Sequence, residues 1–225
     1  MKHKIWRWCK GTILLFLSIG IIFSTVGKNV TKETAETNIE MKDIKKIALT
    51  FDDGPSVYTE ALLEGLEERQ IKATFFVIGK NAEKYPEIVE REAKDGHLIG
   101  NHTYNHVQIT KLSEKDAREE IVKTNEILEN LIQQRIEYVR PPFGIWEEKL
   151  EDLGMMSVMW TVDPLDWTTK NADEIVNKVV TQVEENDIIL LHDCYESSVE
   201  AALRIVDLLK SEGFEFVTVD ELLIE

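Results

Sequence analysis

Hydrophobic and polar positions alternate along most of the chain with two different periods. Short, mostly apolar runs are typical of buried strands, and amphipathic stretches of helical period separate them. The runs predict seven strands, at Lys46–Phe51, Thr74–Ile78, His97–Asn101, Tyr138–Arg140, Ser157–Val162, Asp187–Leu191 and Glu215–Val219. The stretches between them predict helices over Val57–Arg69, Asn81–Asp95, Ser113–Gln134, Glu147–Leu153, Ala172–Glu185 and Ser198–Ser211.

This order of elements predicts an α/β fold. Strands that alternate regularly with helices form a parallel sheet or a β/α barrel. Ser113 precedes Glu114, Lys115 and Asp116, which is a helix-capping signal. Polar and titratable residues follow the predicted strands, and active sites of β/α barrels gather at the carboxyl ends of the strands. We therefore expect these residues to share one site: Asp52, Asp53, His102, Arg140, Asp163, Asp166 and His192.

The N-terminus has the pattern of a targeting segment. Residues 1–10 are basic, and the run from Gly11 to Gly27 is uncharged and mostly apolar. A basic flank before an apolar run is typical of a signal peptide or a signal anchor. A run of about 17 residues is near the lower limit for spanning a bilayer, and we favour a retained anchor. Positive flanks stay inside, so residues 44–225 would form a domain at the cell surface, or a secreted one after cleavage.

The N-terminal segment is positively charged, and the rest of the chain is strongly negative. The net charge is −16, and residues 1–30 carry five Lys or Arg and no acid, which leaves −21 on the remainder. So acidic a domain is a poor partner for nucleic acid, whose phosphates need neutralisation by cations. Residues 28–43 are polar and predict a linker. Cys9 lies in the basic flank and Cys194 in the domain, so we expect no disulfide framework.

Two pairs of residues indicate metal chemistry. Asp52 and Asp53 are adjacent carboxylates at the end of an apolar run, and His102 and His106 are spaced i, i+4. One Asp and two His suffice for a catalytic zinc site, which needs three protein ligands and an open position. The other carboxylate is then free to act as a general base. The pattern predicts metal-assisted hydrolysis.

Five motifs occur in a fixed order along the chain. TFDDGP (50–55), HTYNH (102–106), RPPFG (140–144), DPLDW (163–167) and LLHD (190–193) together resemble the motifs of the NodB-type polysaccharide deacetylases, carbohydrate esterase family 4. The similarity runs from about Lys46 to Leu223. The resemblance implies an irregular (β/α) barrel of about seven parallel strands. It also implies metal-dependent removal of N-acetyl groups from a polysaccharide.

The resemblance assigns roles to the metal side of the site. Asp53, His102 and His106 would be the metal ligands, and Asp52 would be the base that takes a proton from the attacking water. Arg140 would pair with Asp52. One divalent ion is implied, with Zn²⁺ favoured, while Co²⁺, Ni²⁺ and Fe²⁺ bind similar ligands.

The resemblance also assigns the acid and the substrate contacts. His192 would protonate the leaving amine, and Asp166 would hydrogen bond to His192 and favour its protonated form. Trp167 and Leu190 would line a pocket for the acetyl methyl group. The backbone N–H of Phe143, where the family often has Tyr, would stabilise the oxyanion.

One site residue and the substrate leave alternatives open. Asp163 would be a substrate-binding residue of secondary importance, or it would only shape the loop before Pro164. An outward-facing domain meets the cell wall first, so peptidoglycan is the expected substrate, through N-acetylglucosamine or N-acetylmuramic acid. Chitin oligomers and O-acetyl xylan are alternatives.

Two function classes other than a deacetylase are disfavoured. A non-catalytic glycan-binding module would lack the base or a ligand, and this chain keeps both. A metallopeptidase or wall amidase fits less well, since His-Glu-x-x-His is absent from the sequence. The oligomeric state stays open.

Overall fold

The computed structural model of the protein describes residues 45–224. The predicted signal or anchor segment 1–27 and the linker 28–43 lie outside the described residues. Within 45–224, no helix combines the length and apolar character that crossing a bilayer requires.

The described chain builds one parallel sheet. Its strands run in the order β5-β4-β3-β2-β1-β6, and β7 pairs with the first half of β1. All the pairings are parallel, as the alternation of elements predicts. The strands are β1 Lys45–Asp52, β2 Thr74–Val77, β3 Leu98–Asn101, β4 Tyr138–Val139, β5 Met156–Ser157, β6 Ile188–His192 and β7 Phe214–Val217.

The segment after β5 brings the two ends of the sheet together. Val158 donates its N–H to Val139 of β4 at 2.9 Å, and Leu190 of β6 donates its N–H to Val162 at 2.9 Å. The irregular barrel implied by the family resemblance is therefore confirmed. The prediction of one strand over Ser157–Val162 is wrong. The segment must change partners from β4 to β6, so it cannot keep a single ladder, and only a bridge forms at Val162.

Helices cover the outside of the barrel. They are α1 Thr59–Glu68, α2 Gly79–Lys84, α3 Pro86–Lys94, α4 Glu114–Ile132, α5 Ala172–Val180, α6 Glu196–Ser211 and α7 Val219–Leu223. Short 3₁₀ turns lie at Ile109–Lys111, Pro142–Gly144, Glu148–Leu153 and Asp166–Thr168. The predicted helix cap is confirmed, because the Ser113 side chain accepts from the backbone N–H of Asp116.

Two helix predictions need correction, and one further helix was missed. A single helix over Asn81–Asp95 is wrong, because Tyr85 leaves the helical region (φ −131°, ψ 55°) and Pro86 opens a new helix. Proline has no N–H and disfavours α geometry in the residue before it. The stretch Glu147–Leu153 is 3₁₀ over Glu148–Leu153, and the final helix α7 was not predicted.

Alternation along β1 separates the core from the site. Ile47, Leu49 and Phe51 pack into the outer core beneath the helices. Thr50 and Asp52 point the other way, where both accept hydrogen bonds from one arginine. Because side chains of a strand alternate between its faces, the barrel interior becomes polar at the carboxyl end of β1.

Candidate active site

Three side chains converge at the carboxyl ends of β1 and β3. Oδ1 of Asp53 lies 3.4 Å from Nε2 of His102 and 3.3 Å from Nε2 of His106. One donor atom from each residue lies within 4.8 Å of the others. Oδ1 of Asp53 is also buried without a hydrogen-bond partner. A buried, unpartnered carboxylate oxygen beside two imidazole nitrogens fits a divalent cation such as Zn²⁺.

The local backbone turns these ligands toward each other. Asp53 and His106 have positive φ angles of 72° and 55°, and Thr103 between the two histidines has φ 64°. Nδ1 of His102 lies 2.6 Å from the carbonyl oxygen of Arg140. A carbonyl oxygen only accepts, so Nδ1 carries the hydrogen and Nε2 keeps its lone pair for a metal.

The charges of the three groups also favour cation binding. Burial by itself raises the pKa of Asp53, but the hydrogen bond and charge of His102, with His106, outweigh it and lower that pKa. Burial lowers the pKa of His106 below its usual value, although Asp53 opposes the shift. Asp53 is therefore ionised and His106 neutral near pH 7, which are the forms that bind metal.

Glu120 of α4 holds the loop that carries His106. Its carboxylate accepts from the N–H of Tyr104 at 2.9 Å, the N–H of Asn105 at 2.8 Å and the side-chain amide of Asn105 at 2.8 Å. Sequence analysis missed this residue. Glu119 and Glu120 look alike in the sequence, and only the fold shows which of them faces the loop.

Asp52 lies beside the ligand set with an arginine on its other side. Its Oδ1 accepts from Nη1 of Arg140 at 2.8 Å, and its Oδ2 lies 3.7 Å from Nε2 of His102. The carboxylate is buried, so the positive charge of Arg140 offsets the loss of hydration. The predicted pair of Asp52 and Arg140 is present in the structure.

Arg140 is fixed on several sides and is 0% exposed. It donates to Oγ1 of Thr50 at 2.7 Å and to the carbonyl oxygens of Val158 and Met159, each at 3.1 Å. The guanidinium also lies 4.1 Å from the centre of the Phe76 ring. Burial lowers the pKa of Arg140 and Asp52 opposes this shift, while an arginine stays charged at any physiological pH.

His192 and Asp166 form the second ion pair of the site. Nδ1 of His192 lies 2.7 Å from Oδ1 of Asp166, and the backbone N–H of His192 donates to Oδ2 of Asp166 at 2.9 Å. Burial alone would lower the pKa of His192, but Asp166 outweighs it and raises this pKa to about 9. His192 pairs in register with Asp52 across β1 and β6, so the predicted acid and the predicted base lie on neighbouring strands.

The predicted substrate-contacting residues occupy different surroundings. Phe143 and Trp167 are exposed, and the Phe143 ring lies 5.2 Å from the His106 ring. Within residues 45–224, the N–H of Phe143, at φ 65°, makes no hydrogen bond. Leu190 is buried two residues before His192, on the same face of β6. Asp163 accepts from the N–H of Leu165 at 2.8 Å, so it shapes its own loop.

Asp193, to which the sequence analysis gave no role, ties the two catalytic loops together. Oγ1 of Thr59 donates to its Oδ2 at 2.5 Å, and Oγ of Ser56 donates to its carbonyl oxygen at 2.7 Å. A Cβ on Gly54 would lie 2.4 Å from Oδ2 of Asp193, so only glycine fits there. Burial raises the pKa of Asp193 to about 7. The loop after Asp53 is thus fastened to the residue after His192.

Comparisons with known proteins identify the family of this chain. The polysaccharide deacetylase family model matches residues 40–158. The peptidoglycan-N-acetylglucosamine deacetylase of Bacillus cereus is 42% identical over 182 residues, which are 77% of this chain and 66% of that protein. The peptidoglycan-N-acetylmuramic acid deacetylase PdaC of Bacillus subtilis is 41% identical over 180 residues, which are 79% of this chain and 38% of that protein.

A solved structure gives the same result. The structure of PdaC from Bacillus subtilis superposes with a TM-score of 0.78 at 40% identity, covering 80% of this chain and 90% of that one. This chain spans less than two thirds of the full length of both relatives. The chain belongs to the polysaccharide deacetylase family.

Proposed function

We propose that this protein is a metal-dependent hydrolase that removes N-acetyl groups from peptidoglycan at the cell surface. One observation carries the proposal. An ion-paired carboxylate, Asp52, and a protonated imidazole, His192, stand on neighbouring strands beside the set Asp53, His102 and His106. Amide hydrolysis needs such a base, such an acid and a stabilised oxyanion.

Asp53, His102 and His106 would hold the metal, and we propose Zn²⁺. When bound, a divalent cation supplies Lewis acidity to the acetyl carbonyl and lowers the pKa of water. The tautomer of His102 is already set by its hydrogen bond to the Arg140 carbonyl oxygen. The ligand loops are held by Glu120 on one side and by Asp193 on the other.

The protein groups then move two protons. Asp52 takes a proton from the attacking water as the water oxygen bonds to the acetyl carbon, and Arg140 keeps the carboxylate oriented. His192 gives its proton to the amide nitrogen as the carbon–nitrogen bond breaks, which releases acetate and a free amine. Amines leave poorly until they are protonated, so the raised pKa of His192 keeps this acid loaded at neutral pH.

The remaining contacts position the acetyl group. The free N–H of Phe143 would donate to the carbonyl oxygen as negative charge develops there. Leu190 and Trp167 would enclose the methyl group. Leu190 is buried on the face of β6 that carries His192, and Trp167 directly follows Asp166, the partner of His192. A single methyl pocket of this kind favours acetyl over longer acyl groups.

Two further observations support the proposed substrate and location. Relatives that cover most of this barrel are named for peptidoglycan N-acetylglucosamine or N-acetylmuramic acid. The basic and apolar N-terminal pattern favours a domain tethered outside the cytoplasm. We propose that residues 1–27 anchor the chain in the membrane and that the wall glycan is the partner it meets.

Acetate release from defined polymers tests the proposal. The full-length chain in detergent, loaded with Zn²⁺, is given peptidoglycan, an N-acetylglucosamine pentamer and acetylated xylan, with a chelator-treated sample as control. We expect chelator-sensitive acetate release and new free amines from peptidoglycan. Release from xylan alone would identify an esterase, and glycan binding without release from any polymer would identify a binding module.

A further inference from the structure

The segment Ile78–Asn81, which follows β2 and begins α2, lies between the two loops that carry the predicted metal ligands. We call it the bridging segment. In the sheet, β2 stands between β1 and β3. The chain therefore leaves β2 with the loop of Asp53 on one side and the loop of His102 and His106 on the other. All four residues of the bridging segment donate a hydrogen bond to one of these loops.

Two of its residues hold the loop of Asp53. The N–H of Ile78 donates to the carbonyl oxygen of Gly54 at 3.1 Å, and Nδ2 of Asn81 donates to the carbonyl oxygen of Asp53 at 2.8 Å. A carbonyl group is fixed within its planar peptide unit, so a bond to it restricts rotation next to the Asp53 Cα. Asp53 has φ 72°, a conformation that a non-glycine residue keeps only when its surroundings impose it. Asn81 supplies part of that constraint.

The other two residues hold the loop of the histidines. The N–H groups of Gly79 and Lys80 donate to the carbonyl oxygens of Thr103, at 3.0 Å, and Tyr104, at 3.1 Å. This close approach needs glycine, since a Cβ on Gly79 would lie 2.6 Å from Oγ1 of Thr124 and 2.8 Å from Cδ2 of Tyr104. The bridging segment is thus bonded to both loops at once, and it sets the distance between the carboxylate ligand and the two imidazole ligands.

Asn81 makes the one bond of this set that comes from a side chain. It is the third residue of α2, where an asparagine side chain does not cap its own helix. Asparagine is also a weak helix former, so the helix itself gains little from it. The bonds from Ile78, Gly79 and Lys80 come from backbone N–H groups, which most substitutions leave in place. The contribution of Asn81 can therefore be removed without removing the others.

We infer that Asn81 is a positioning residue for the metal site, and that it holds the Asp53 carboxylate at the separation from His102 and His106 that a divalent cation needs. The inference rests on the metal site of the proposed function. Oδ1 of Asp53 lies 3.4 Å and 3.3 Å from Nε2 of the two histidines. Zn²⁺ bonds to nitrogen and oxygen of about 2.0–2.2 Å leave little room for displacement of a ligand. Without the bond from Asn81, the Asp53 loop is held less firmly and the three donors converge less well.

Metal binding by the full-length chain in detergent tests the role of Asn81. Asn81→Leu keeps the branched shape of the side chain and removes the donor, and Asn81→Ala removes both. We would measure the dissociation constant for Zn²⁺ by competition with a chromogenic chelator, and the visible absorption spectrum of the Co²⁺ form, which responds to ligand geometry. Both variants should bind Zn²⁺ about 10-fold more weakly and change the Co²⁺ spectrum. Asn130→Leu, exposed in the last turn of α4, is the matched control and should bind both ions like the wild type.

Two results would overturn the inference. Both Asn81 variants could match the wild type in Zn²⁺ affinity and Co²⁺ spectrum. They could also bind weakly with an unchanged spectrum and unfold at lower urea concentration without metal, which would make Asn81 a support for the fold alone. Failure of the proposed function is visible separately. A wild-type chain that binds no metal would overturn the metal site and the inference together, whereas metal-loaded wild type that releases no acetate would leave the role of Asn81 to be decided by binding.

Discussion

The proposed base and the proposed acid each belong to a buried ion pair, but the two pairs have different surroundings. Asp52 pairs with Arg140, and His192 pairs with Asp166, so each reacting group has a buried partner of opposite charge. The Arg140 side chain is completely buried and donates hydrogen bonds to four groups, Asp52 among them, whereas the His192 side chain is 13% exposed and faces the exposed Tyr195 ring. The closed side fixes the geometry of Asp52 through its buried bond to Arg140. The open side carries His192, whose pKa is raised to about 9, and would face the substrate in the proposed reaction.

The two sides should differ most when their reacting groups are removed. Asp52→Asn should lower amide turnover by about 10²–10⁴-fold, and also that of an aryl acetate, because both reactions need the base. His192→Gln should lower amide turnover by a similar factor but spare the aryl acetate, whose leaving group needs no proton.

Both variants should keep their metal content in elemental analysis, since Asp53, His102 and His106 are untouched. Equal slowing of amide and aryl acetate hydrolysis in His192→Gln would contradict the proposed acid role of His192. In that case another group would have to protonate the amine.

Removing the partner on the closed side should damage the fold itself. Arg140→Ala leaves the buried Asp52 carboxylate without its cation and should reduce the free energy of unfolding by about 3–5 kcal/mol. Urea denaturation followed by circular dichroism measures this. Arg118→Ala, which breaks an exposed pair with Asp152, should leave the unfolding curve nearly unchanged. Equal curves for the two variants would contradict the structural role of Arg140.

The loop that carries His106 is a third region to compare. A substitution of Glu120 on α4 tests whether the position of His106 depends on that support. Glu120→Gln replaces one of the two accepting oxygens with an amide nitrogen, which cannot accept a hydrogen bond. The variant therefore loses either the bonds from the backbone N–H groups of Tyr104 and Asn105 or the bond from the Asn105 side chain. We expect metal affinity to fall by about 10–100-fold, measured by competition with a chromogenic chelator. Glu126→Gln, an exposed acid on the same helix, should bind metal like the wild type. Unchanged affinity in Glu120→Gln would mean that the histidines hold their positions unaided.

The smallest expected effect is a shift of the pH profile on the open side. Asp166 raises the pKa of His192 to about 9, so the acid is protonated below that pH and lost above it. Asp166→Asn removes the charge, lowers this pKa, and should move the basic limb of kcat/KM down by about 1–3 pH units. The acidic limb should stay in place. Asp152→Asn, in the exposed 3₁₀ turn Glu148–Leu153, is the control and should leave the profile unchanged. If the basic limb does not move in Asp166→Asn, that limb does not report the titration of His192.

The sequence predicted the parts of the site that lie at strand ends. Strand-to-helix alternation placed Asp53, His102, Arg140 and His192 at one edge of a parallel sheet, and the structure brings them together there. The break before Pro86 was also accessible from local rules, since proline restricts the residue before it.

The residues that hold the loops of the site in place could not be predicted from the sequence in the same way. Thr59 and Asp193 meet across a separation of 134 residues, and Glu120 reaches a loop 15 residues earlier in the chain. Their types are common and their spacing carries no period. The partner change within Ser157–Val162 likewise depends on how the barrel closes, because neither half of the segment differs from an ordinary strand in sequence.

The left-handed backbone at the ligand loops has a consequence for protein engineering. A non-glycine residue with positive φ raises the energy of the folded chain by on the order of 1–3 kcal/mol. Asp53 and His106 would keep that strain because their side chains are the proposed metal ligands, but Thr103 (φ 64°) has a buried hydroxyl without a partner. Exchange of Thr103 for glycine would therefore relieve backbone strain and stabilise the fold, while it would loosen the backbone that holds the two histidines in place.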